Sequence, residues 1–302
     1  HTSLQSSRRV AVAPMLDCTD RHARYFYRLL SPHTLLYTEM VVAQAIMHGP
    51  KDKLLGYSPE EHPLALQLGG SDPSDLAHCA QIAEQMGYDE VNLNVGCPSD
   101  RVQKGRFGLC LMAEPQLVAD CVDAMKQVVE IPITVKTRIG YDQHDSFEVL
   151  EHFTEGLSAV GCDFLWVHAR KGWLSGLSPK ENRNIPPLNY ERVYDLKQAF
   201  SSMGIGINGG IETIAEIDKH HKKVDGVMIG RAVYQSPYLL AQIESSIWGS
   251  SKPMPTRFEI VHQMLPYIAE HLSSNQRLHH VTRHMFGLFH GEANARLWRR
   301  YL

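Results

Sequence analysis

The chain has 302 residues, enough for one large domain or for one with a small companion. Hydrophobic residues make up 43% and charged residues 21%, with a formal net charge of −3, which excludes wholesale disorder, a fibrous repeat and a uniformly basic nucleic-acid binder. No apolar run approaches the roughly 20 residues of a membrane span, and the polar stretch His1–Arg9 lacks the apolar core of a secretory signal.

Short apolar, β-branched runs alternate with helical patterns. Eight strands are expected, at Val10–Met15, Leu36–Val42, Leu64–Gly69, Glu90–Val95, Ile133–Thr137, Phe164–His168, Gly206–Asn208 and Gly226–Ile229. Most are apolar on both faces, as strands buried in a parallel sheet are. Between them, Leu76, Cys79, Ala80, Ala83 and Met86 recur at helical spacing after Asp72-Pro73, an N-cap followed by the first helical position. Leu117, Cys121, Val122, Met125 and Val128 mark another helix, and Val149, Phe153, Leu157 and Val160 a third. His220-His221 reads as an exposed helix face. This alternation suits an α/β fold, a (β/α)8 TIM barrel, better than a doubly wound sheet.

The texture changes after Ser250. Gly249-Ser250-Ser251-Lys252-Pro253 and Pro255 read as a linker. Phe258, Val261, Leu265, Ile268 and Leu272 predict one amphipathic helix, and Leu278, Val281, Met285 and Leu288 a second. The expected division is a barrel domain over residues 1–248 and a small all-helical domain over 249–302. The absent initiator Met suggests a trimmed start, and the uncapped end at Tyr301-Leu302 suggests further helix. From Lys252 onward there are seven Lys/Arg against three Asp/Glu, and six of the 17 histidines. That asymmetry suggests an anionic partner at this end. Six cysteines without a CxxC pair fit a reduced, cytoplasmic protein rather than a disulfide scaffold or a zinc ribbon.

In a barrel, function lies at the C-terminal ends of the strands. There the chain places Pro14-Met15-Leu16-Asp17, Thr38-Glu39, Gln67, Asn92 and Asn94, Lys136-Thr137-Arg138, His168-Ala169-Arg170, Asn208-Gly209-Gly210 and Gly230-Arg231. The last two glycine-containing loops precede helices and suit a phosphate, with Arg231 adding a charged contact, although glycines also serve plain tight turns. Gly204, Gly206 and Gly209 match GxGxxG but run through a strand, so they are no dinucleotide fingerprint. Lys136 and His168 share one barrel face. A lysine there is costly unless it meets an anion or an electron-rich group, such as the N1/C2 edge of a reduced flavin. Gln67 suits a flavin imide. Cys97, in Gly96-Cys97-Pro98, carries a thiol with pKa about 8.5 that serves as a proton donor or, if lowered, a nucleophile. Cys79, Cys110 and Cys121 read as packing residues; Cys18 is ambiguous.

Ala13-Pro14-Met15-Leu16-Asp17, Leu93-Asn94-Val95-Gly96-Cys97-Pro98, Val135-Lys136-Thr137-Arg138, Val167-His168-Ala169-Arg170, Asn208-Gly209-Gly210 and Gly226-Val227-Met228-Ile229-Gly230-Arg231 together resemble the tRNA-dihydrouridine synthases, flavin enzymes built as a barrel plus a C-terminal helical domain. Trp173 to Arg183 and the ending Ala295 to Leu302 resemble the bacterial A-type subfamily. Cys18 departs from the Trp expected there.

The resemblance implies FMN at the barrel mouth, with Asn208 among the residues binding it and its phosphate on Gly209, Gly210, Gly230 and Arg231. Pro14, Met15 and Leu16 would line the ring, with Gln67, Lys136 and His168 contacting it. It implies NADPH as reductant, hydride transfer from flavin N5 to uracil C6, and protonation of C5 by Cys97. The substrate would be tRNA, at D-loop positions 20 and 20a, contacted by Asn94, Lys180, Arg183, Arg296 and Arg299. A monomer without metal is expected, since His280 and His284 lack an acidic partner or a third ligand. Two rivals are an FMN-dependent oxidoreductase of free pyrimidines, of the dihydroorotate type, and a non-catalytic RNA-binding barrel.

Overall fold

The structure is a computed structural model that describes residues 4–302; the first three residues of the polar His1–Arg9 stretch lie outside the described residues. Eight strands form one parallel sheet: β1 Val10–Val12, β2 Leu36–Val42, β3 Leu64–Gly69, β4 Glu90–Val95, β5 Ile133–Arg138, β6 Phe164–His168, β7 Ile205–Asn208 and β8 Gly226–Ile229. Each pairs with its sequence neighbour from β2 to β8, and β8 pairs with β1. A parallel bridge between Ala11 and Leu35 closes the ring, with Val12 N–H on the Leu35 carbonyl at 2.9 Å. This is the (β/α)8 barrel expected from the alternating pattern.

β1 ends three residues before the expected Met15. Ala13 still donates to the Ile229 carbonyl, but Pro14 has no N–H to continue the ladder. Thr19 then turns the chain by accepting the Met15 N–H at 3.0 Å.

Side chains alternate between the lumen and the helix layer. One lumen cluster joins Ala11, Ala13, Leu35, Tyr37, Ala65, Phe164, Trp166 and Met228. Trp166 is wholly buried there, and a Cβ on Gly206 would fall 2.3 Å from its ring. Gly204 and Gly206 of the apparent GxGxxG run therefore make room for the Phe164 and Trp166 rings inside the barrel. The larger core lies outside the strands, against helices Pro73–Gln85, Pro115–Lys126 and Phe147–Ala159. Asp72 caps the first of these by accepting the Asp75 N–H, and Pro73 opens it.

Three expectations need correction. His220 is not exposed: it is buried under Tyr190, with its Nδ1 2.7 Å from the Tyr194 hydroxyl. The helix at Arg257–Ser273 forms, but it buries Ile260 and Met264, leaving Phe258 67%, Leu265 52% and Leu272 44% exposed. Its apolar stripe is wider than one face, and tertiary packing selects one edge. The expected second helix breaks into His279–Thr282 and a 3₁₀ turn at Arg283–Met285, although Val281, Met285 and Leu288 are buried as its pattern implied.

The C-terminal helices dock on helix Arg21–Leu30. Tyr267 stacks on Tyr25 at 4.0 Å, and its hydroxyl lies 2.7 Å from His22 Nδ1. Arg283 and His284 both reach Asp20, the N-cap of that helix. Burial opposes the Asp20 charge, yet these partners and the Ala23 N–H hold its carboxyl below the ordinary range. His284 thus has the acidic neighbour its sequence context hid, while His280 packs against His271 and His279. No helix among the described residues is long and apolar enough to cross a membrane.

Candidate active site

The strand ends bring Gln67, Asn94, Lys136, His168 and Asn208 to one end of the barrel. Register puts Asn94 beside Lys136, Arg138 beside His168, and His168 beside Asn208. Positions 134, 136 and 138 share one side of β5, so Arg138 turns inward with Lys136.

Gln67 is buried. Its amide nitrogen donates to Asn92 Oδ1 at 2.9 Å, and its oxygen accepts from Asn94 Nδ2 at 3.0 Å. The Asn94 oxygen in turn accepts the N–H groups of Gly96 at 3.1 Å and Cys97 at 3.0 Å. Cys97 is half-buried, its sulfur 3.6 Å from Ser99 Oγ. The thiol therefore stands on a turn tied to the strand beneath it.

His168 accepts the Arg170 N–H through Nδ1 at 3.1 Å, so its remaining proton sits on Nε2. Burial, then the Arg138 and Lys136 charges, hold the imidazole well below its ordinary pKa; the ring is neutral. Lys136 keeps part of its surface open to the mouth, yet burial first and Arg138 next push it down to about 7. No carboxylate forms an ion pair with Lys136, Arg138 or Arg170 among the described residues. Arg170 gives Nε to the Pro186 carbonyl at 2.8 Å, and its buried Nη1 has no acceptor among the described residues. A buried cationic nitrogen without an acceptor disposes the site toward an anion.

The loop after β7 completes this side. Asn208 is buried and donates to the Met228 carbonyl at 2.8 Å. Gly209 has φ +119, and a Cβ there would stand 3.1 Å from His168 Cε1, so only glycine brings this backbone against the imidazole. The Tyr190 hydroxyl fixes the loop through the Gly209 carbonyl at 2.7 Å. Gly210 follows, also at positive φ. Gly230 caps the short helix Arg231–Gln235 and faces Met15. These groups fit a phosphorylated, electron-accepting ring system: an amide pair, an unpaired lysine, a neutral imidazole and a glycine cradle.

The other expected residues lie farther out. Leu16 is 77% exposed beyond β1, with Pro14 and Met15 half-buried behind it. Arg231 is exposed and donates to Asn184 and to the Arg183 carbonyl, which binds the β7–β8 side to the long loop after β6. Lys180 and Arg183 are exposed on that loop. Arg296 and Arg299 are exposed on the last helix, Ala295–Tyr301, and no hydrogen bond or ion pair ties either to the mouth. Cys18 is half-buried beside Asp17, with burial pushing its thiol up.

Arg138, placed at a strand end by the sequence but given no role there, organises the mouth. It is buried and donates to the carbonyls of Gly96 at 2.9 Å, Lys171 at 3.3 Å and Asn182 at 3.1 Å. Gln103 adds a second tie, from the Pro98 carbonyl to that of Leu174. The Cys97 turn and the loop carrying Lys180 and Arg183 are thereby one unit. The inward parity of Arg138 with Lys136 was the available signal.

The family model described as "Dihydrouridine synthase (Dus)" matches residues 11–302. The tRNA-dihydrouridine(20/20a) synthase of Shewanella oneidensis is 61% identical over 295 residues, covering 98% of this chain and 88% of that protein. The enzyme of the same name from Escherichia coli K12 is 59% identical over 302 residues, covering 100% of this chain and 87% of its own length. Among solved structures, the old yellow enzyme homologue from Zymomonas mobilis aligns with TM-score 0.58 at 13% identity, over 83% of this chain and 91% of that one. Morphinone reductase aligns with TM-score 0.55 at 14% identity, over 83% and 88%. At such identities these two likenesses speak for the barrel fold alone. The full-length matches at about 60% identity go further: this chain belongs to the dihydrouridine synthase family.

Proposed function

We propose that this protein reduces uridine in tRNA to 5,6-dihydrouridine, with FMN held at the barrel mouth and NADPH as reductant. One observation carries the reading: a thiol on a pinned turn shares the mouth with an unpaired lysine, a neutral histidine and a glycine cradle. The family membership supplies the reaction class.

Gln67, Lys136 and His168 would hold the ring system, and His168 Nε2–H, Arg170, Asn208, Gly209, Gly210, Gly230 and Arg231 its phosphate side. FMN, when bound there and reduced by NADPH, would supply a hydride for C6 of the uracil ring. The chain's own groups do the rest. Lys136 stabilises negative charge at its ammonium head, which a pKa near 7 leaves responsive to a nearby anion. Cys97 gives its proton to C5, closing the reduction. The second Asn94 amide proton, uncommitted within the protein, donates to the base. The uridine must leave its stack to enter, which RNA loops permit at small cost. Lys180, Arg183, Arg296 and Arg299 bind phosphates of the tRNA, and the uridines reduced are D-loop positions 20 and 20a, the numbers in the relatives' names.

The test offers the purified, FMN-containing protein unmodified tRNA and free uridine in parallel, with NADPH. Dihydrouridine forms in tRNA and not from the nucleoside. Equal or faster reduction of the free pyrimidine overturns the assignment.

A further inference from the structure

The lumen holds a polar column that the chemistry at the mouth does not by itself require. At the floor, Arg8 grips Glu90 with two nitrogens on Oε2, at 2.9 and 2.7 Å. Glu90 is wholly buried. Its other oxygen accepts the Tyr37 hydroxyl at 2.6 Å and the Thr134 hydroxyl at 2.6 Å. Trp166 Nε1 donates to the Tyr37 oxygen at 2.8 Å. Above Thr134 the chain of bonds runs on through Asn92, Gln67 and Asn94 to the backbone of Gly96 and Cys97.

The direction of every bond in this column is forced from both ends. A carboxylate paired with a guanidinium only accepts. Thr134 must therefore donate downward to Glu90, and its oxygen is left to accept from Asn92 Nδ2 at 2.9 Å. That turns the Asn92 oxygen up to Gln67, the Gln67 oxygen up to Asn94, and the Asn94 oxygen up to the turn. At the top, backbone N–H groups only donate, and they match this order. Reversing one amide would set donor against donor somewhere along the line, in a buried site where an unmade hydrogen bond is costly.

We propose that Glu90, at the opposite end of the lumen from the thiol, is a positioning residue whose acceptor-only carboxylate fixes which way the Gln67 and Asn94 amides face and so holds the Cys97 turn. Its relevance to catalysis rests on the proposed function; the ordering itself does not. Glu90→Gln keeps one acceptor oxygen, which the two Arg8 donors retain, and so turns its NH2 toward Thr134 and Tyr37, which both donate there. With donors then at both ends, no single order satisfies the column: a mismatch falls between Thr134 and Asn94, and the Asn94 acceptor on the Gly96 and Cys97 N–H groups is no longer held from below.

Hydrogen–deuterium exchange of the peptide spanning residues 93–98 tests this in the purified full chain. Thr134→Val keeps the Arg8–Glu90 pair and cuts the relay. It speeds exchange at Gly96 and Cys97 about fivefold, the equivalent of one hydrogen bond, while helix Pro115–Lys126 keeps its rates. Thr134→Ser restores the relay and the original rates. Glu90→Gln speeds exchange further, and adding Thr134→Val to it returns the rates to those of Thr134→Val alone. Should Glu90→Gln not fold, the two Thr134 variants decide. Unchanged exchange in Thr134→Val overturns the proposal, as does equal acceleration in Thr134→Ser, or additive acceleration in the double variant. A parent protein that reduces no tRNA would instead overturn the proposed function and leave this comparison intact.

Discussion

Arg138 Nε donates to the carbonyl of Gly96, the residue before Cys97, at 2.9 Å. The same guanidinium holds the carbonyls of Lys171 and Asn182, so one side chain spans the thiol turn and the loop bearing Lys180 and Arg183. Arg138→Lys loses the planar fork that reaches three carbonyls at once. It should lower stability by about 2–3 kcal/mol and slow tRNA turnover more than NADPH oxidation. Thermal melts and separated half-reactions check this; equal loss in both half-reactions would place Arg138 in cofactor binding instead.

Lys136 titrates near 7 in the folded chain against 10.5 for an ordinary lysine. Between those values the unfolded chain carries the extra proton, so stability rises with pH across that window. Below about pH 7 both states are protonated and the full cost of burying the charge is present. Lys136→Met should therefore raise the melting temperature of FMN-free protein at pH 6.5, with the gain shrinking toward pH 10. A gain independent of pH would mean that packing, not charge, is responsible.

His22, between helices Arg21–Leu30 and Arg257–Ser273, is pushed down to about 4 by burial, with His271, Arg21 and His284 opposing its charge and Asp20 favouring it. From pH 6.5 down to about 4 only the unfolded chain takes this proton, so stability falls on acidification. His22→Gln keeps a partner for the Tyr267 hydroxyl and should remove about 1 kcal/mol of that acid loss. Denaturant titrations at pH 7 and 5 measure it; identical acid losses would exclude His22.

Arg296 and Arg299 project from the last helix without ion-pair partners among the described residues. Changing both to Ala should weaken tRNA binding and flatten the log–log salt dependence by about 1–2 units. FMN content should stay the same. An unaltered slope would remove this helix from the RNA surface.

The barrel was legible because parallel strands buried on both faces leave uninterrupted apolar runs. The end of β1 was not, since Pro14 stops the ladder while its neighbours remain strand-like. Gln67, Asn94, Lys136, His168 and Asn208 stood out as polar residues closing apolar strands. Arg138 escaped because carbonyls 33 and 44 residues away satisfy it, and such partners leave no local pattern. The helix at Arg257–Ser273 was read correctly as a helix and wrongly as to its buried face, because apolar residues lie on more than one side of it. Glu90 and Asn92 looked like strand residues with polar side chains; only barrel closure makes them one column.

The most direct test of the central claim compares Cys97→Ala with the parent protein in a single turnover. Each is loaded with FMN, reduced with NADPH, and mixed with unmodified tRNA. The account predicts retained FMN and retained NADPH oxidation, with dihydrouridine formation slowed about 10²- to 10⁴-fold. Dihydrouridine formed at the parental rate in the variant would contradict it.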